Sequence, residues 1–286
     1  MSHNIVRIEA LSTENYLIEV EAPHVAERFQ AGQFVIIRIH ERGERIPLTV
    51  ADVDLRKGTV TLIFQVVGKT TMELSTLKPG DTLINCVGPL GNPSEIEKFG
   101  RVICAGGGTG IACILPVVRA LANAGNEVIS IIGARTESLL ILEDEIREAS
   151  TEIYIATDDG SKGHHGFVTE VLKGLLEKYK RSEEVNRVII IGPPQMMKAA
   201  ADVTRINKIK TIASLNTIMI DGTGMCGGCR VFLDGEMKLT CIDGPEFDAH
   251  KVNFDDVISR LSMFKEKELL AVKHFCKHKQ KKAGRQ

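Results

Sequence analysis

The stretch 101-RVICAGGGTGIACILPVVRAL-121 decides the fold of this chain. It opens as an apolar strand, turns through a run of glycines and continues as an apolar helix. A continuously apolar strand feeding a helix marks a strand buried on both faces, inside a parallel sheet covered by helices. Glycines at such a turn let the backbone approach a pyrophosphate, and the helix N-terminus adds N–H donors and partial positive charge. Gly106, Gly107, Gly108, Thr109 and Gly110 are therefore candidate nucleotide-binding residues. The run is not a strict G-x-G-x-x-G, since Ile111 stands where the last glycine would fall. A tight strand-to-helix corner without a ligand is the other reading.

Reading forward, the alternation repeats. Strands are expected at 127-EVISIIGA-134, 152-EIYIAT-157 and 187-RVIIIG-192, and helices near 110–124, 138–149, 166–179 and 194–207. Ligands of open α/β sheets bind beyond the carboxyl ends of strands. Two further strand-end loops, 157-TDDGSKGHHG-166 and 192-GPPQMMK-198, lie there, which adds Asp158, Gly192, Pro193 and Met196 to the candidates. Met196 and Met197 read equally well as helix packing. His164 and His165 sit in a polar loop and are expected to face solvent.

Reading backward, residues 1–96 are β in character. The stretches 16-YLIEV-20, 34-FVIIRI-39 and 59-TVTLIFQVV-67 are rich in β-branched residues and are separated by turns such as Lys78-Pro79-Gly80-Asp81. Many short strands with regular punctuation suggest a barrel or sandwich. The class is thus β plus α/β. We expect an antiparallel β-barrel over 1–96 and a parallel α/β sheet domain over 97–215. A Gly/Cys-rich, metal-binding loop over 216–250 and a helix with a basic tail over 251–286 follow.

The 286 residues suit two domains and an appendage, and 43% hydrophobic with 26% charged residues is ordinary for a folded protein. A net charge of -1 argues against a general nucleic-acid binder. No apolar run reaches the roughly 18 residues of a membrane span, and Met1 to Ala10 carry no secretory signal. A cytoplasmic location is expected. Of the seven cysteines, Cys86, Cys104 and Cys113 read as small buried hydrophobes, while Cys226, Cys229 and Cys241 are clustered. Clustered thiols in such a chain favour a metal over disulfides.

The clustered segment, 221-DGTGMCGGCRVFLDGEMKLTCIDGP-245, has the spacing Asp221-x4-Cys226-x2-Cys229-x11-Cys241. Plant-type [2Fe–2S] loops read C-x4-C-x2-C followed by a distant cysteine. Aspartate stands at the first position, and a carboxylate is an anionic ligand too. Asp221, Cys226, Cys229 and Cys241 are the candidate cluster ligands. Zinc is the alternative, with Cys226, Cys229, Cys241 and His250 as a Cys3His set, and plain loop cysteines are a third reading.

The assembled pattern resembles the ferredoxin–NADP reductase superfamily. The residues that carry the likeness are Arg45-Ile46-Pro47-Leu48-Thr49, the Gly106-to-Gly110 loop and Gly192-Pro193-Pro194, in that order. The resemblance implies an FAD with Arg45 at its pyrophosphate and Pro47, Leu48 and Thr49 along the isoalloxazine. It further implies that 65-QVVGKTT-71 holds the FAD, with Gly68, Thr70 and Thr71 at the phosphates and Gln65 and Val66 beside them. Arginine suits phosphate, and a Gly-Lys-Thr-Thr turn opening a helix supplies N–H groups, so the chemistry agrees.

The cluster loop narrows the likeness to two related kinds of subunit. These are the electron-transfer subunits of dihydroorotate dehydrogenase and the small subunits of electron-bifurcating NADH-dependent ferredoxin:NADP oxidoreductases. The former normally carry four cysteines. Asp221 and the stretch 241-CIDGPEFD-248 look like the latter, over about residues 5–260. That resemblance implies an electron relay between NAD(H), FAD and a [2Fe–2S] cluster, without an acid–base catalytic residue. It also implies a larger flavoprotein and iron–sulfur partner, with ferredoxin as the low-potential acceptor. NAD(H) follows from the resemblance, while NADP(H) stays open because Arg135 in 133-GARTES-138 could accept a 2′-phosphate. The dihydroorotate dehydrogenase subunit and a zinc-stabilised nucleotide-binding protein without redox activity are the alternatives. The acid-free run Lys273, Lys277, Lys279, Lys281, Lys282 and Arg285 reads as a solvated tail, or as a weak dock for an acidic protein.

Overall fold

The computed structural model describes residues 2–179 and 184–283, with residues 278–283 described by backbone alone. The N-terminal part contains β1 (His3–Ala10), β2 (Asn15–Glu21), α1 (Pro23–Ala26), β3 (Phe34–Arg38), β4 (Ile46–Asp54), β5 (Thr59–Gln65), α2 (Lys69–Leu74), β6 (Thr82–Leu83) and β7 (Asn85–Leu90). Its strands run in the order β6-β1-β2-β5-β4-β3-β7, and every pairing is antiparallel. The sheet curls into a nearly closed barrel. Alternate residues Ile18 and Val20, Val35 and Ile37, and Val60, Leu62 and Phe64 point into one core. That period of two is what the strand pleat dictates.

The second part contains β8 (Arg101–Gly107), α3 (Gly110–Asn123), β9 (Glu127–Ala134), α4 (Glu143–Ala149), β10 (Glu152–Thr157), β11 (His164–His165), α5 (Val168–Tyr179), β12 (Arg187–Ile191), α6 (Pro194–Ile206) and β13 (Thr211–Ser214). These strands are parallel, in the order β11-β10-β9-β8-β12-β13. From β8 the chain winds outward one way to β10, then returns to β12 on the other side. The switch point lies between β8 and β12, where such sheets bind ligands.

Helix α3 is apolar nearly all round, with nine of its 14 residues buried. It packs on the sheet through Val102, Cys104 and Ile189 and on the barrel through Leu17, Ala51 and Ile63. A helix sandwiched between two layers has no polar face to show. Gly110 opens it because a Cβ there would stand 2.3 Å from the Ile191 carbonyl oxygen, so helix and strand can meet at no larger residue.

The last part contains β14 (Arg230–Leu233), β15 (Glu236–Leu239), α7 (Thr240–Asp243), β16 (Glu246–Asp248), α8 (Phe254–Ser262) and α9 (Lys265–Ala283). Three sequence expectations need correction. The segment 216–250 is not all loop: β14 and β15 form a hairpin, and β16 joins the nucleotide sheet antiparallel to β13. The helix expected over 138–149 is a short 3-10 turn at Glu137–Leu139 and then α4, parted by Leu142 in the left-handed region at φ 56°. The C-terminal stretch is two helices rather than one.

Candidate functional site

At the switch point the two glycine loops face each other. Gly107 and Gly192 are both capped by Met196, whose sulfur would lie 2.3 Å and 3.0 Å from a Cβ at either position. Met196 therefore closes the base of the crevice, while Met197 is a core residue. Gly108 sits at φ +57° with nothing within 4 Å of a Cβ, which leaves the open approach a phosphate needs. Thr109 turns its hydroxyl to the barrel, donating to Asn15 Oδ1 at 3.0 Å. Asp158 is exposed beyond β10, and its N–H donates to the Ala134 carbonyl at 3.2 Å. His164 and His165 are exposed, as expected. Gly192-Pro193 leads straight into α6.

On the barrel, Pro47, Leu48 and Thr49 lie half-buried along β4, paired with Ile36, Val35 and Phe34 of β3. Thr49 also reaches the Cys113 thiol of α3, so the motif strand touches the nucleotide domain. Arg45 is exposed just before β4, and no described residue pairs with it. Gly68 has open space around it. The Thr71 hydroxyl accepts from the N–H of Val67 at 3.0 Å and of Gly68 at 3.1 Å. The Thr70 hydroxyl donates to Glu44, tying α2 to the loop that carries Arg45. Both threonine side chains thus shape the turn. The first N–H groups of α2 lack partners within the helix and are the donors left for a phosphate. A free guanidinium, open glycine backbone and an apolar ledge fit a dinucleotide flavin.

The metal-binding segment leans on the same barrel wall. Cys229 and Cys241 are both 2% exposed and cluster with Phe34, Ile36 and Met219. Burial first, then the neighbouring Cys229 thiol, pushes the Cys241 thiol up to about 12. Such a pair ionises when a metal takes up its charge. Cys226 is exposed, and its sulfur accepts from Gly228 N–H at 3.4 Å. Asp221 accepts from Thr223 N–H at 2.8 Å and Cys226 N–H at 2.7 Å, and those amides hold its carboxyl below the usual range. The left-handed turn at Gly222 lets the loop lie against Ile36 and Leu90, where a Cβ would clash at 2.7 Å and 2.9 Å. The structure therefore gathers the four expected ligands as two pairs, Cys229 with Cys241 and Asp221 with Cys226. No group of three or more His, Cys, Asp or Glu is gathered among the described residues. His250 is bonded to Thr204 on α6 at 3.0 Å, so the Cys3His zinc set is not assembled. Asp221, Cys226 and Cys229 on the glycine-rich loop, with Cys241 on α7, remain a donor set suited to an iron–sulfur cluster.

Several features were missed in the sequence. Arg230 Nη1 donates to the Gly227 carbonyl at 3.2 Å, and Arg260 Nη2 to the Gly228 carbonyl at 3.1 Å, both on the Cys226–Cys229 turn. Arg135 meets Glu14 at 2.6 Å. The hairpin did have a readable signal in Asp234-Gly235, a pair that favours a two-residue turn.

Barrel, nucleotide sheet and thiol loop together define a class, an electron-transfer subunit of an oxidoreductase with FAD, an iron–sulfur cluster and nicotinamide nucleotide as its cofactors. Comparison with known proteins agrees. Residues 104–202 match the oxidoreductase NAD-binding domain, and residues 216–253 match the iron–sulfur cluster binding domain of dihydroorotate dehydrogenase B. A Thermotoga maritima protein described as a dihydroorotate dehydrogenase B (NAD(+)) electron transfer subunit homolog is 43% identical, covering 96% of each chain. The electron transfer subunit of dihydroorotate dehydrogenase B (NAD(+)) from Desulforamulus reducens is 32% identical, over 87% of this chain and 96% of its own. A solved structure of an NADH-dependent reduced ferredoxin-NADP oxidoreductase, described in connection with flavin-based electron bifurcation, contains a chain 42% identical to this one. It superposes with a TM-score of 0.89 over 96% of this chain and 98% of its own. The chain belongs to the family of dihydroorotate dehydrogenase B electron transfer subunits and their homologues. No helix among the described residues is long and apolar enough to cross a membrane.

Proposed function

We propose that this chain relays electrons between NAD(H) and a larger flavoprotein partner of a bifurcating NADP- and ferredoxin-reacting complex. The observation that carries this is the contact of Cys229 and Cys241 with Phe34 and Ile36 of β3, whose neighbour β4 presents Pro47, Leu48 and Thr49. The cluster ligands and the flavin ledge thus share one wall. When bound, FAD would supply exchange between hydride and single electrons and the [2Fe–2S] cluster would supply one-electron transfer, and that chemistry belongs to the cofactors.

The protein's own residues bind and orient. Arg45, the Gly68-Lys69-Thr70-Thr71 turn and the adjoining Gln65 and Val66 hold the flavin in the barrel of residues 1–96. Gly106 to Gly110, Asp158, Gly192, Pro193 and Met196 form the nucleotide crevice of residues 97–215. Asp221, Cys226, Cys229 and Cys241 ligate the cluster in residues 216–250. Ile220, Met225 and Ile242 are exposed around that loop, an apolar rim suited to a protein partner. The complex works in the cytoplasm with ferredoxin as its low-potential acceptor.

Anaerobic co-purification with the larger subunit tests this reading. The complex should contain FAD, iron and acid-labile sulfide in this chain and couple NADH, NADP and ferredoxin. Zinc without iron would overturn the relay. Production of orotate from dihydroorotate would instead place the chain with a dihydroorotate dehydrogenase.

A further inference from the structure

We infer that Glu14 makes this chain select the nicotinamide nucleotide without a 2′-phosphate, by occupying Arg135. The inference rests on the nucleotide crevice proposed above.

The sheet order β10-β9-β8-β12-β13 is that of a doubly wound dinucleotide fold whose first strand is β8. In such folds the residues at the end of the second strand meet the adenosine ribose. An acid there accepts the 2′-hydroxyl, and an arginine takes a 2′-phosphate. The second strand here is β9, ending at Ala134, so Arg135 stands at that position. By residue type alone it would recruit the phosphorylated nucleotide.

The barrel changes this. Arg135 Nη2 donates to both Glu14 oxygens, at 2.6 Å and 2.8 Å. Glu14 is fixed from its own side as well. Its carboxylate accepts from Gln65 Nε2 at 2.6 Å, and its carbonyl accepts from Val66 N–H at 2.8 Å. The next residue, Asn15, pairs with Gln65 across β2 and β5. The Gln65 and Arg135 contacts, in that order, hold the Glu14 carboxyl below the usual carboxylate range, so it stays ionised. The other acid of this stretch, Glu137, is directed to Lys162 at 3.5 Å.

Both partners are reachable by a nucleotide, with side chains 63% and 34% exposed. An ion pair this open does little for stability. Its effect falls on what binds beside it. A 2′-phosphate would have to displace Glu14 from Arg135 and then sit against a carboxylate, while a 2′-hydroxyl finds an acceptor already in place.

The test uses the full chain purified with its flavin, titrated separately with NAD(H) and NADP(H). Glu14→Gln removes the charge, and Glu14→Ser removes the bridge as well. Either should raise affinity for the phosphorylated nucleotide about tenfold relative to the other, the scale of one charge-assisted contact. Adding Arg135→Ala to either variant should erase that gain. FAD retention in the single variants reports that the barrel is intact. An unchanged preference in both Glu14 variants, or a gain that survives Arg135→Ala, overturns the inference while the nucleotide site stands. A wild-type chain that binds neither nucleotide overturns both.

Discussion

At Asp221 one carboxylate faces two backbone N–H groups while occupying the register of a missing thiolate. The two roles are compatible, because each carboxylate oxygen has two lone pairs and each amide uses one. As a ligand, Asp221 should tolerate Asp221→Cys, with a cluster that still assembles and an altered electron paramagnetic resonance spectrum. Asp221→Ala should lose the cluster or leave it labile. Asp221→Asn keeps one acceptor oxygen and loses the anion, so its spectrum should change too. An Asp221→Ala protein with an unaltered reduced spectrum would reduce the residue to a turn former. Cys229→Ala is the control that should always lose the cluster. The register alone made Asp221 a candidate in the sequence. What the carboxylate bonds to was not, and neither were Glu14 with Arg135 or Asn15 with Thr109. Those partners stand 121 and 94 residues apart, and no local pattern links them.

Among the elements, legibility followed burial. Strands β9 and β10 were readable to the residue, because a run apolar on both faces stops abruptly at polar turns. Strand β16 has three residues and no periodicity to read, and only the fold gives it a partner in β13. Helix α8 reads as an ordinary amphipathic element, yet it reaches the Cys226–Cys229 turn. Its Asn253 cap accepts from Asp256 N–H at 3.1 Å, and its last turn sends Arg260 to the Gly228 carbonyl. A cation fixed against the ligand turn favours added negative charge on a cluster held there. Arg260→Gln should therefore make the cluster's reduction potential more negative, and Arg260→Lys should recover part of the shift. Anaerobic redox titration followed by electron paramagnetic resonance reads this directly. Equal potentials in all three proteins would leave Arg260 as a helix anchor only.

Across the whole molecule, the barrel, the sheet and the thiol loop meet at the linker around residues 91–95. Asn92 N–H donates to the Gly244 carbonyl at 2.7 Å, and Ser94 N–H to the Ala31 carbonyl at 2.8 Å. The Ser94 hydroxyl donates to Glu246 of β16 at 2.5 Å, and Glu95 pairs with Arg187 of β12 at 2.8 Å. Burial in this junction holds the Glu246 carboxyl above its ordinary range, against the opposing pull of the Ser94 bond and Arg187. A carboxyl with a raised folded value binds its proton more tightly folded than unfolded. Its stabilising contribution is present below the ordinary carboxylate value and is lost as pH rises through the folded one. Glu246→Gln keeps an acceptor for Ser94 and removes the charge that must be buried at higher pH. The variant should match the wild type below the ordinary carboxylate range and become the more stable of the two as pH rises from there through the folded value. Urea unfolding midpoints measured across that range test this. Parallel curves for the two proteins would mean that the junction relaxes to admit water around Glu246, and that the three segments are held together by their backbone bonds and apolar contacts instead.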